Sequence, residues 1–470
     1  MKKIKKLFWI FNILLISLLI FSKSLSNIDE VLQYNFGRYL ANGYVLYKDF
    51  NCIVFPSFPF IMGAILKIFG QELIVYRVLE IFILVFIEIY AIKILKKLKL
   101  DNQFLTYIII TIYMVLISIF SLAEYNMLNC LILLIIINRE LKENTKWYDD
   151  ILVGVLVGLT ITVKQSVGIC ILIGCILNTM IDKVTWKQKV KRIFFKILGV
   201  SFILCCMLGY LYGTNTIRDC MNYTILGLRE FLPYFGVFLY GNFFIALLAL
   251  VLIFVEIITI YKVAKEKEKS AIVLFIYGFA SFAVMYPILD ENHILIGFLP
   301  NIILYMYLFL KESRLNDKMM KNFSLTFVVG IIILLVLHIA NFINLSSYKD
   351  NKHYQYIYME DATKKELENI TSFIKIHDNT YIIDTTGVFY MIPLDKFCGI
   401  FDLPNVGNTG EKGEQALIEK IDDIEEGYFL VQDFTKKNAA QNPINAINYV
   451  KENFEYIGNI NHFQVYYKNR

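Results

Sequence analysis

The chain has 470 residues, of which 57% are hydrophobic, 15% aromatic and 19% charged, with a formal net charge of +5. Soluble domains carry about 45–50% apolar and about 25% charged residues, so this composition excludes a disordered chain, a nucleic-acid binder and a single water-soluble domain. The apolar residues form runs of about 15–25, the length that crosses roughly 30 Å of hydrocarbon as a helix. The sequence therefore predicts a polytopic membrane protein with one soluble segment at its C-terminus.

The N-terminus carries lysines at positions 2, 3, 5 and 6 before an apolar run that reaches about Phe21. A cleaved signal peptide begins in the same way. However, this run is long for a signal peptide, and residues 21–25 make a poor cleavage site. We therefore predict an uncleaved first span with its N-terminus in the cytoplasm.

The apolar runs fall into two classes. Five runs each predict one clear span: residues 7–25, 74–95, 193–213, 235–261 and 323–343. Three longer stretches are each interrupted by polar residues: 104–138 at Glu124–Asn126, 151–181 at Lys164–Gln165, and 271–310 at Tyr286–His293. As helices these stretches would measure roughly 50, 45 and 60 Å, which is too long for one span. Each is either a hairpin of two helices or one tilted helix with a buried charge, at a cost of about 2.5–3.5 kcal/mol.

The distribution of Lys and Arg favours three hairpins, and therefore about eleven spans. With that topology about 24 of the 46 basic residues fall on one side, in residues 2–6, 93–99, 139–146, 183–192, 262–269 and 311–321. A single span in place of any one hairpin would move later basic loops to the opposite side. We therefore predict a cytoplasmic N-terminus and an external C-terminal segment.

This topology places several polar turns on the outer face of the membrane. They contain Asp29, Glu30, Glu124, Lys164, Gln165, Asp290 and His293. An exposed acidic turn needs no function, but ionisable groups within membrane segments are candidates for functional residues. We therefore predict a site at the outer leaflet.

The first external loop, residues 26–73, is predicted to contain two short helices. Asn27 is a candidate N-cap, with Asp29 and Glu30 in the first turn, and Gly43 ends the helix. Its apolar and aromatic residues suit a helix lying in the membrane interface. A second helix opens at Pro56 and Pro59 and ends near Gly70.

The same loop contains a motif of acidic, glycine, aromatic and proline residues. It runs Asp29-Glu30, Gly37, Asn42-Gly43, Leu46-Tyr47-Lys48-Asp49-Phe50, Pro56, Pro59, and Phe69-Gly70 to Arg77. This motif resembles D-E-x-x…G…G…Y-x-D-F…P, which follows the first span in GT-C glycosyltransferases. The most similar branch is the family 39-like group, with protein O-mannosyltransferases, aminoarabinose lipid A transferases and bacterial relatives. The likeness continues at Glu124-Tyr125, Lys164 to Ser166 and Tyr286 to His293, and covers roughly residues 1–345.

The resemblance implies a fold and a reaction. The fold is a helical transmembrane core (residues 1–345) with interfacial helices in the first external loop. Such enzymes move a sugar from a polyprenyl-phosphate carrier to an acceptor outside the bacterial cytoplasmic membrane. Asp29 matches the catalytic acidic residue of that loop, and Glu124 takes the place of a second one, where several relatives have Asp.

The reaction needs a base and a group that stabilises the leaving phosphate. Asp29 is predicted to take the proton of the acceptor hydroxyl in an inverting displacement. The lipid phosphate needs positive charge, for which Lys164 is the first candidate, followed by Arg218, Arg229 and His293. Several candidates also have a purely structural interpretation. Arg229 would lie at the lipid headgroups, and His293 would brace the Asp290 turn. Glu30 would be a helix N-terminal charge, and Lys48 would pair with Asp49 to support the loop. No residue set demands a metal, and a divalent cation at the acidic loops is left open.

Residues 346–470 are predicted to form a small external α/β domain. The predicted elements are helices at 361–376, 414–423 and 443–453 and strands at 381–384, 428–431 and 463–467. Gly387, Gly399, Gly407, Gly410 and Gly413 are assigned to loops. The eight cysteines are interpreted as free structural residues, because none pairs with His at zinc spacing.

Three other functions remain open. A transporter or flippase of lipid-linked glycans is the main alternative, although we find no internal repeat of the kind transporters carry. An O-antigen-type polymerase or ligase would concentrate basic residues in a late external loop. A non-catalytic scaffold is the fourth possibility. Neither the sugar nor the acceptor, which is a lipid, a cell-wall polymer, a glycan or a protein, follows from any residue.

Overall fold

The computed structural model describes residues 2–25, 28–100, 104–120, 124–142, 145–234, 243–286, 289–310, parts of 329–342, 345–397, 401–405, 407–432 and 442–469. The protein is mostly helical, at 71%, and has a small sheet near the C-terminus. The predicted combination of a helical core with a C-terminal α/β segment is confirmed at this level. The predicted span at 323–343 is described only in parts, from residue 329 onward.

The helices follow one another along most of the chain. In chain order they are α1 Lys2–Phe21, α2 Ile28–Ala41, α3 Ser57–Phe69, α4 Leu73–Lys97, α5 Phe104–Phe120, α6 Tyr125–Glu140, α7 Trp147–Val163, α8 Gln165–Ile181, α9 Trp186–Gly213, α10 Ile217–Met221, α11 Phe243–Glu266, α12 Lys269–Ser281, α13 Glu291–Leu310, α14 Asp361–Ile376, α15 Gly387–Met391, α16 Glu414–Asp422 and α17 Ile444–Asn453.

The chain divides into two compact units. Unit 1 comprises residues 1–22, 77–207 and 235–341, and unit 2 comprises residues 23–76, 208–234 and 342–470. The last border lies close to the predicted domain boundary at residue 345. Unit 2, however, joins the C-terminal segment to the first external loop and to residues 208–234, which the sequence did not indicate.

Within unit 1, all three long apolar stretches are broken at the predicted places. Helix α5 ends at Phe120 and α6 begins at Tyr125. Lys164 alone separates α7 from α8, with an extended backbone at φ −145° and ψ 112°. Helix α12 passes into a short 3₁₀ helix, Phe282–Met285, before α13 begins at Glu291. Helix α7 packs on α8 and α12 packs on α13, whereas α5 packs on α1 and α13, and α6 on α7.

The crossing of α7 and α9 in unit 1 depends on glycine. A Cβ added to Gly154 would lie 2.0 Å from the carbonyl oxygen of Lys196. One turn further along α7, a Cβ on Gly158 would lie 2.9 Å from the Cβ of Ile203. This is the G-x-x-x-G spacing that lets two helix backbones approach each other closely, as is common between helices in membranes.

A network of buried charges lies at the end of the α7–α8 pair away from Lys164. Lys196 Nζ lies 2.5 Å from Glu140 Oε1, and Arg192 Nε lies 3.2 Å from Asp150 Oδ1. Lys269 Nζ lies 2.6 Å from Asp182 Oδ1. Helices α7 and α8 have 17 residues each, so the two polar ends are about 25 Å apart.

The surface between these polar ends is apolar. Two described helices, Trp186–Gly213 and Asn292–Phe309, are long and apolar enough to cross a membrane by length and composition. The apolar part of α9 is only 17% buried, whereas that of α13 is 72% buried. Exposed side chains include Ile173 on α8, Phe202 on α9 and Phe254 on α11. The predicted number of eleven spans stays a prediction.

The C-terminal part of unit 2 contains a four-stranded mixed sheet. In addition to a two-stranded ribbon of β1 Ser346–Ser347 and β2 Tyr358–Met359, the strands are β3 Thr380–Ile383, β4 Gly427–Gln432, β5 Glu455–Ile460 and β6 Phe463–Lys468. Their order is β3-β4-β6-β5, with β3 parallel to β4 and the other pairs antiparallel. Phe429 and Val431 of β4 contact residues of α16 and α17 on one face, while Tyr428 contacts Phe373 of α14 on the other.

All six elements predicted for residues 346–470 are present within one residue of their predicted bounds. Strand β5 and the short helix α15 were not predicted. Gly387 opens α15 rather than lying in a loop, whereas Gly407, Gly410 and Gly413 have the positive φ angles of loop glycines. Gly399 lies outside the described residues.

The α7–α9 crossing predicts a difference between two glycine substitutions. Gly154→Ala should lower the free energy of unfolding by about 1–3 kcal/mol, because the new methyl group overlaps backbone that cannot move cheaply. Gly209→Ala, at a site on α9 with nothing within 4 Å of the added Cβ, should be neutral or raise it by up to about 1 kcal/mol. Thermal unfolding of both variants in detergent tests this, and equal effects would contradict the described crossing.

Candidate functional site

The three helix breaks of unit 1 bring together four residues that the sequence singled out. Glu124 precedes α6, Lys164 separates α7 from α8, and Asp290 precedes α13, which carries His293. Glu124 and Asp290 both interact electrostatically with Lys164, and Glu124 also interacts with His293. We call Glu124, Lys164, Asp290 and His293, with Asn126, the break cluster.

Lys164 is the central cation of the break cluster. Its side chain is only 6% exposed. Its Nζ donates to Asn126 Oδ1 and to the carbonyl oxygen of Val284, each at 3.1 Å, and lies 5.4 Å from the centre of the Tyr125 ring. An ammonium group has three donors, and the third has no acceptor among the described residues.

The electrostatic environment of Lys164 favours its charged form. Glu124 and Asp290 both interact with its ammonium group, and their carboxylates are of opposite charge. The lysine is a positive charge that is held in place and has one N–H available for a ligand.

His293 and Asp290 form an oriented pair. His293 Nδ1 lies 2.7 Å from Asp290 Oδ1, which also accepts a hydrogen bond from the His293 amide at 2.9 Å. Burial acts to raise the pKa of Asp290, but the contacts with His293 outweigh it and lower that pKa. With Nδ1 directed to the carboxylate, Nε2 faces no hydrogen-bond partner within the described part of the chain. This arrangement braces the turn and also orients an imidazole for proton transfer or hydrogen bonding.

The asparagines in and next to the break cluster were not predicted as site residues from the sequence. Asn126 links two of its members, because its Nδ2 donates to Glu124 Oε1 at 2.6 Å while its Oδ1 accepts from Lys164. Asn129 lies one turn further on the same face of α6 and is 1% exposed, and neither its Nδ2 nor its Oδ1 has a hydrogen-bond partner. Asn292 Oδ1, next to His293, is also buried without one. Buried polar groups without a hydrogen bond are rare in native proteins. The sequence signal that could have identified Asn126 and Asn129 is their helical spacing after Glu124.

The acidic pair of the first external loop belongs to unit 2. Asp29 is exposed in the first turn of α2, whereas Glu30 is fully buried. Residues Glu30–Tyr39 are all buried, and α2 packs on α3 and on α15. Helix α2 is therefore surrounded by protein on most sides, and its predicted position in the membrane interface stays a prediction. The predicted N-cap, Asn27, lies outside the described residues.

Most of the first-loop motif has a structural role. A Cβ on Gly37 would lie 2.6 Å from the Cβ of Met62 on α3, so the glycine allows the two helices to touch. Gly43 adopts a φ of 90° just after α2. Tyr47 donates to the Val54 carbonyl at 2.7 Å, and Asp49 accepts from the Val45 amide at 2.6 Å. Of the two predicted support residues, Lys48 and Asp49, Asp49 thus holds the loop through the Val45 amide.

A buried arginine that the sequence did not single out joins α2 to the C-terminal segment. Arg38 is 1% exposed, and its Nη1 lies 2.9 Å from Asp395 Oδ1. His353 Nε2 contacts the same carboxylate at 2.8 Å, and its Nδ1 lies 2.9 Å from the Tyr34 hydroxyl. Burial lowers the pKa of His353. It acts to raise that of Asp395, but His353, Lys352 and Arg38 outweigh burial and lower the pKa.

The remaining predicted donor-binding residues lie in different places. Gln165 is the first residue of α8 and follows Lys164 directly. Arg218 on α10 and Arg229 on the 3₁₀ helix Gly227–Tyr234 are exposed residues of unit 2. They are not part of the break cluster in unit 1.

Two further predictions concern cysteine and metal. The seven cysteines in the described part of the chain are free: Cys52, Cys130, Cys170, Cys175, Cys205, Cys206 and Cys220. Across the same residues, no group of three or more His, Cys, Asp or Glu side chains could hold a metal ion.

No protein-family model matches the chain, and no curated protein matches it. The resemblance to GT-C glycosyltransferases therefore rests on the motif residues alone.

The two asparagines of α6 predict opposite effects of the same substitution. Asn126→Leu should lower the free energy of unfolding by about 1–3 kcal/mol, because Lys164 and Glu124 each lose a buried partner. Asn129→Leu removes an amide without a hydrogen bond and should be neutral or stabilising in the protein without ligand. Thermal unfolding of the two variants tests this prediction. It is contradicted if Asn129→Leu costs as much as Asn126→Leu.

Proposed function

We propose that the protein is a membrane glycosyltransferase that moves a sugar from a polyprenyl-phosphate donor to an acceptor hydroxyl. The observation that carries this proposal is Lys164, a buried ammonium group at a one-residue break between two apolar helices. It has one free donor, and Glu124, Asp290 and His293 lie around it. A cation held in this way is suited to an anionic ligand that reaches it from the bilayer.

The membrane setting has independent support from unit 1. Charged groups at Lys164 and at the Glu140–Lys196 pair lie at the two ends of the α7–α8 pair, about 25 Å apart. Large apolar side chains are exposed between these ends. A soluble protein rarely exposes such a surface, whereas a bilayer covers it.

Lys164 and His293 are assigned to the donor phosphate. When the bond between the anomeric carbon and the phosphate oxygen breaks, the lipid phosphate gains negative charge. The free N–H of Lys164 and the Nε2 side of His293 can stabilise that charge by hydrogen bonds in a site with little water. Asn129 is a further hydrogen-bonding group for the same ligand.

Asp29 is assigned the role of base. Its carboxylate takes the proton of the acceptor hydroxyl as the hydroxyl oxygen forms the new bond to the anomeric carbon, with inversion at that carbon. Asp29 is exposed at the start of α2, whereas the neighbouring Glu30 is buried. The reaction is placed at the outer face of the bacterial cytoplasmic membrane, and the acceptor stays open.

The test is sugar release from labelled polyprenyl-phosphate donors by the purified protein in lipid. The wild type should consume at least one donor, while Lys164→Gln and Asp29→Asn should each lower the rate by about 100-fold or more. Asp29→Asn should still bind the donor, because it removes only the base.

Asp361→Asn is the matched control, since Asp361 is also an exposed carboxylate in the first turn of a helix of unit 2. It should leave the rate unchanged. Transport of intact donor across the vesicle membrane without sugar release would contradict the proposal and favour a flippase. An Asp29→Asn protein that turns over like the wild type would exclude Asp29 as the base.

A further inference from the structure

A cavity of unit 1 lies at the end of the α7–α8 pair away from Lys164. Its volume is about 850 Å³, which is within the range of pockets that hold small molecules. It is bordered by the starts of α7, α9 and α12 and by the end of α8, including Trp147, Asp182 and Lys269.

This cavity has an excess of positive charge. Seven Lys or Arg residues line it, against two Asp residues. Both carboxylates are already paired, Asp182 with Lys269 at 2.6 Å and Asp150 with Arg192 at 3.2 Å. The side-chain ammonium groups of Lys183 and Lys267 have no hydrogen-bond or ion-pair partner among the described residues. The unpaired cations indicate that the cavity would attract an anion.

The N-terminus of α9 adds to this positive field. The first turn of α9 contains no acidic residue that would offset the positive end of the helix dipole, whereas α12 has Glu268 as its N-cap residue. Lys191 Nζ lies 5.9 Å from the centre of the Phe195 ring, so that side chain is held beside the cavity. Together, these groups are suited to phosphate oxygens.

Aromatic residues beside the cavity are typical of a membrane interface. Trp147 and Tyr148 at the start of α7, and Trp186 at the start of α9, are all exposed. Such residues are enriched at the level of the lipid headgroups. In the predicted topology this is the cytoplasmic side, where basic pockets between helices bind anionic lipids.

We propose that this cavity binds the phosphate-bearing headgroup of an anionic phospholipid. The proposal rests on the membrane setting of the proposed function but not on sugar transfer. Lys183 and Lys267 contribute charge to the phosphate, while the paired residues Asp182, Arg192 and Lys269 hold the walls of the cavity.

The test measures lipid binding to the full-length protein in neutral detergent by native mass spectrometry. Phosphatidylglycerol should bind and phosphatidylcholine should not. The double variant Lys183→Gln/Lys267→Gln should weaken phosphatidylglycerol binding by about 25-fold, because each lysine near a lipid phosphate contributes roughly a factor of five. The double variant Lys96→Gln/Lys99→Gln, which removes the same charge from exposed sites outside the cavity, should bind like the wild type.

Each other outcome overturns part of the proposal. Equal weakening in both double variants would show general attraction to the basic face rather than a site. Competition by glycerol 3-phosphate or inorganic phosphate at the affinity of the lipid would show that the cavity takes a free phosphate ligand. Because no sugar donor is used, failure of the transferase proposal would leave these results unchanged.

Discussion

A buried ammonium group at a break between two apolar helices is the constraint on which unit 1 depends. Removing a charged group from water costs several kcal/mol unless it is paired and hydrogen-bonded. Lys164 is therefore accompanied by groups from the two other breaks: Glu124 and Asn126 from the break before α6, and Asp290 and the Val284 carbonyl from the break before α13. The three breaks have to meet at one place, which fixes how α6, α8, α12 and α13 pack.

Unit 2 depends on a second buried cation, Arg38, in a comparable way. Its pairing with Asp395, shared with His353, attaches α2 to the C-terminal segment. The Tyr39 hydroxyl adds a hydrogen bond to Asp402 at 3.1 Å. The first external loop and the C-terminal segment are thus one folded unit, and most of the loop motif serves its packing. Of Asp29 and Glu30, the exposed Asp29 is better suited to act as a base than the buried Glu30.

Most helices and strands were predictable from local sequence patterns. The break cluster was predictable as well, because local patterns also mark the helix breaks that form it. Polar residues inside apolar runs marked the breaks at Lys164 and Asp290, and short apolar and aromatic runs marked β3, β4 and β6. Strand β5 was missed because its residues are mostly exposed and Gly458 interrupts its register with β6. The Arg38–Asp395 pair could not be predicted, because it joins residues 357 positions apart and nothing local to either residue indicates the other. The burial of α2 depends only in part on the C-terminal segment, because α2 packs on the neighbouring α3 as well as on α15.

The most direct test of the account is a cryo-EM structure of the protein in lipid with a non-hydrolysable polyprenyl-phosphate sugar. We expect a phosphate oxygen within hydrogen-bond distance, about 3 Å, of Lys164 Nζ, with the contacts to Asn126 and Val284 retained. A phosphate bound away from the break cluster, with Lys164 contacting protein groups alone, would contradict the assignment of this cluster to the donor.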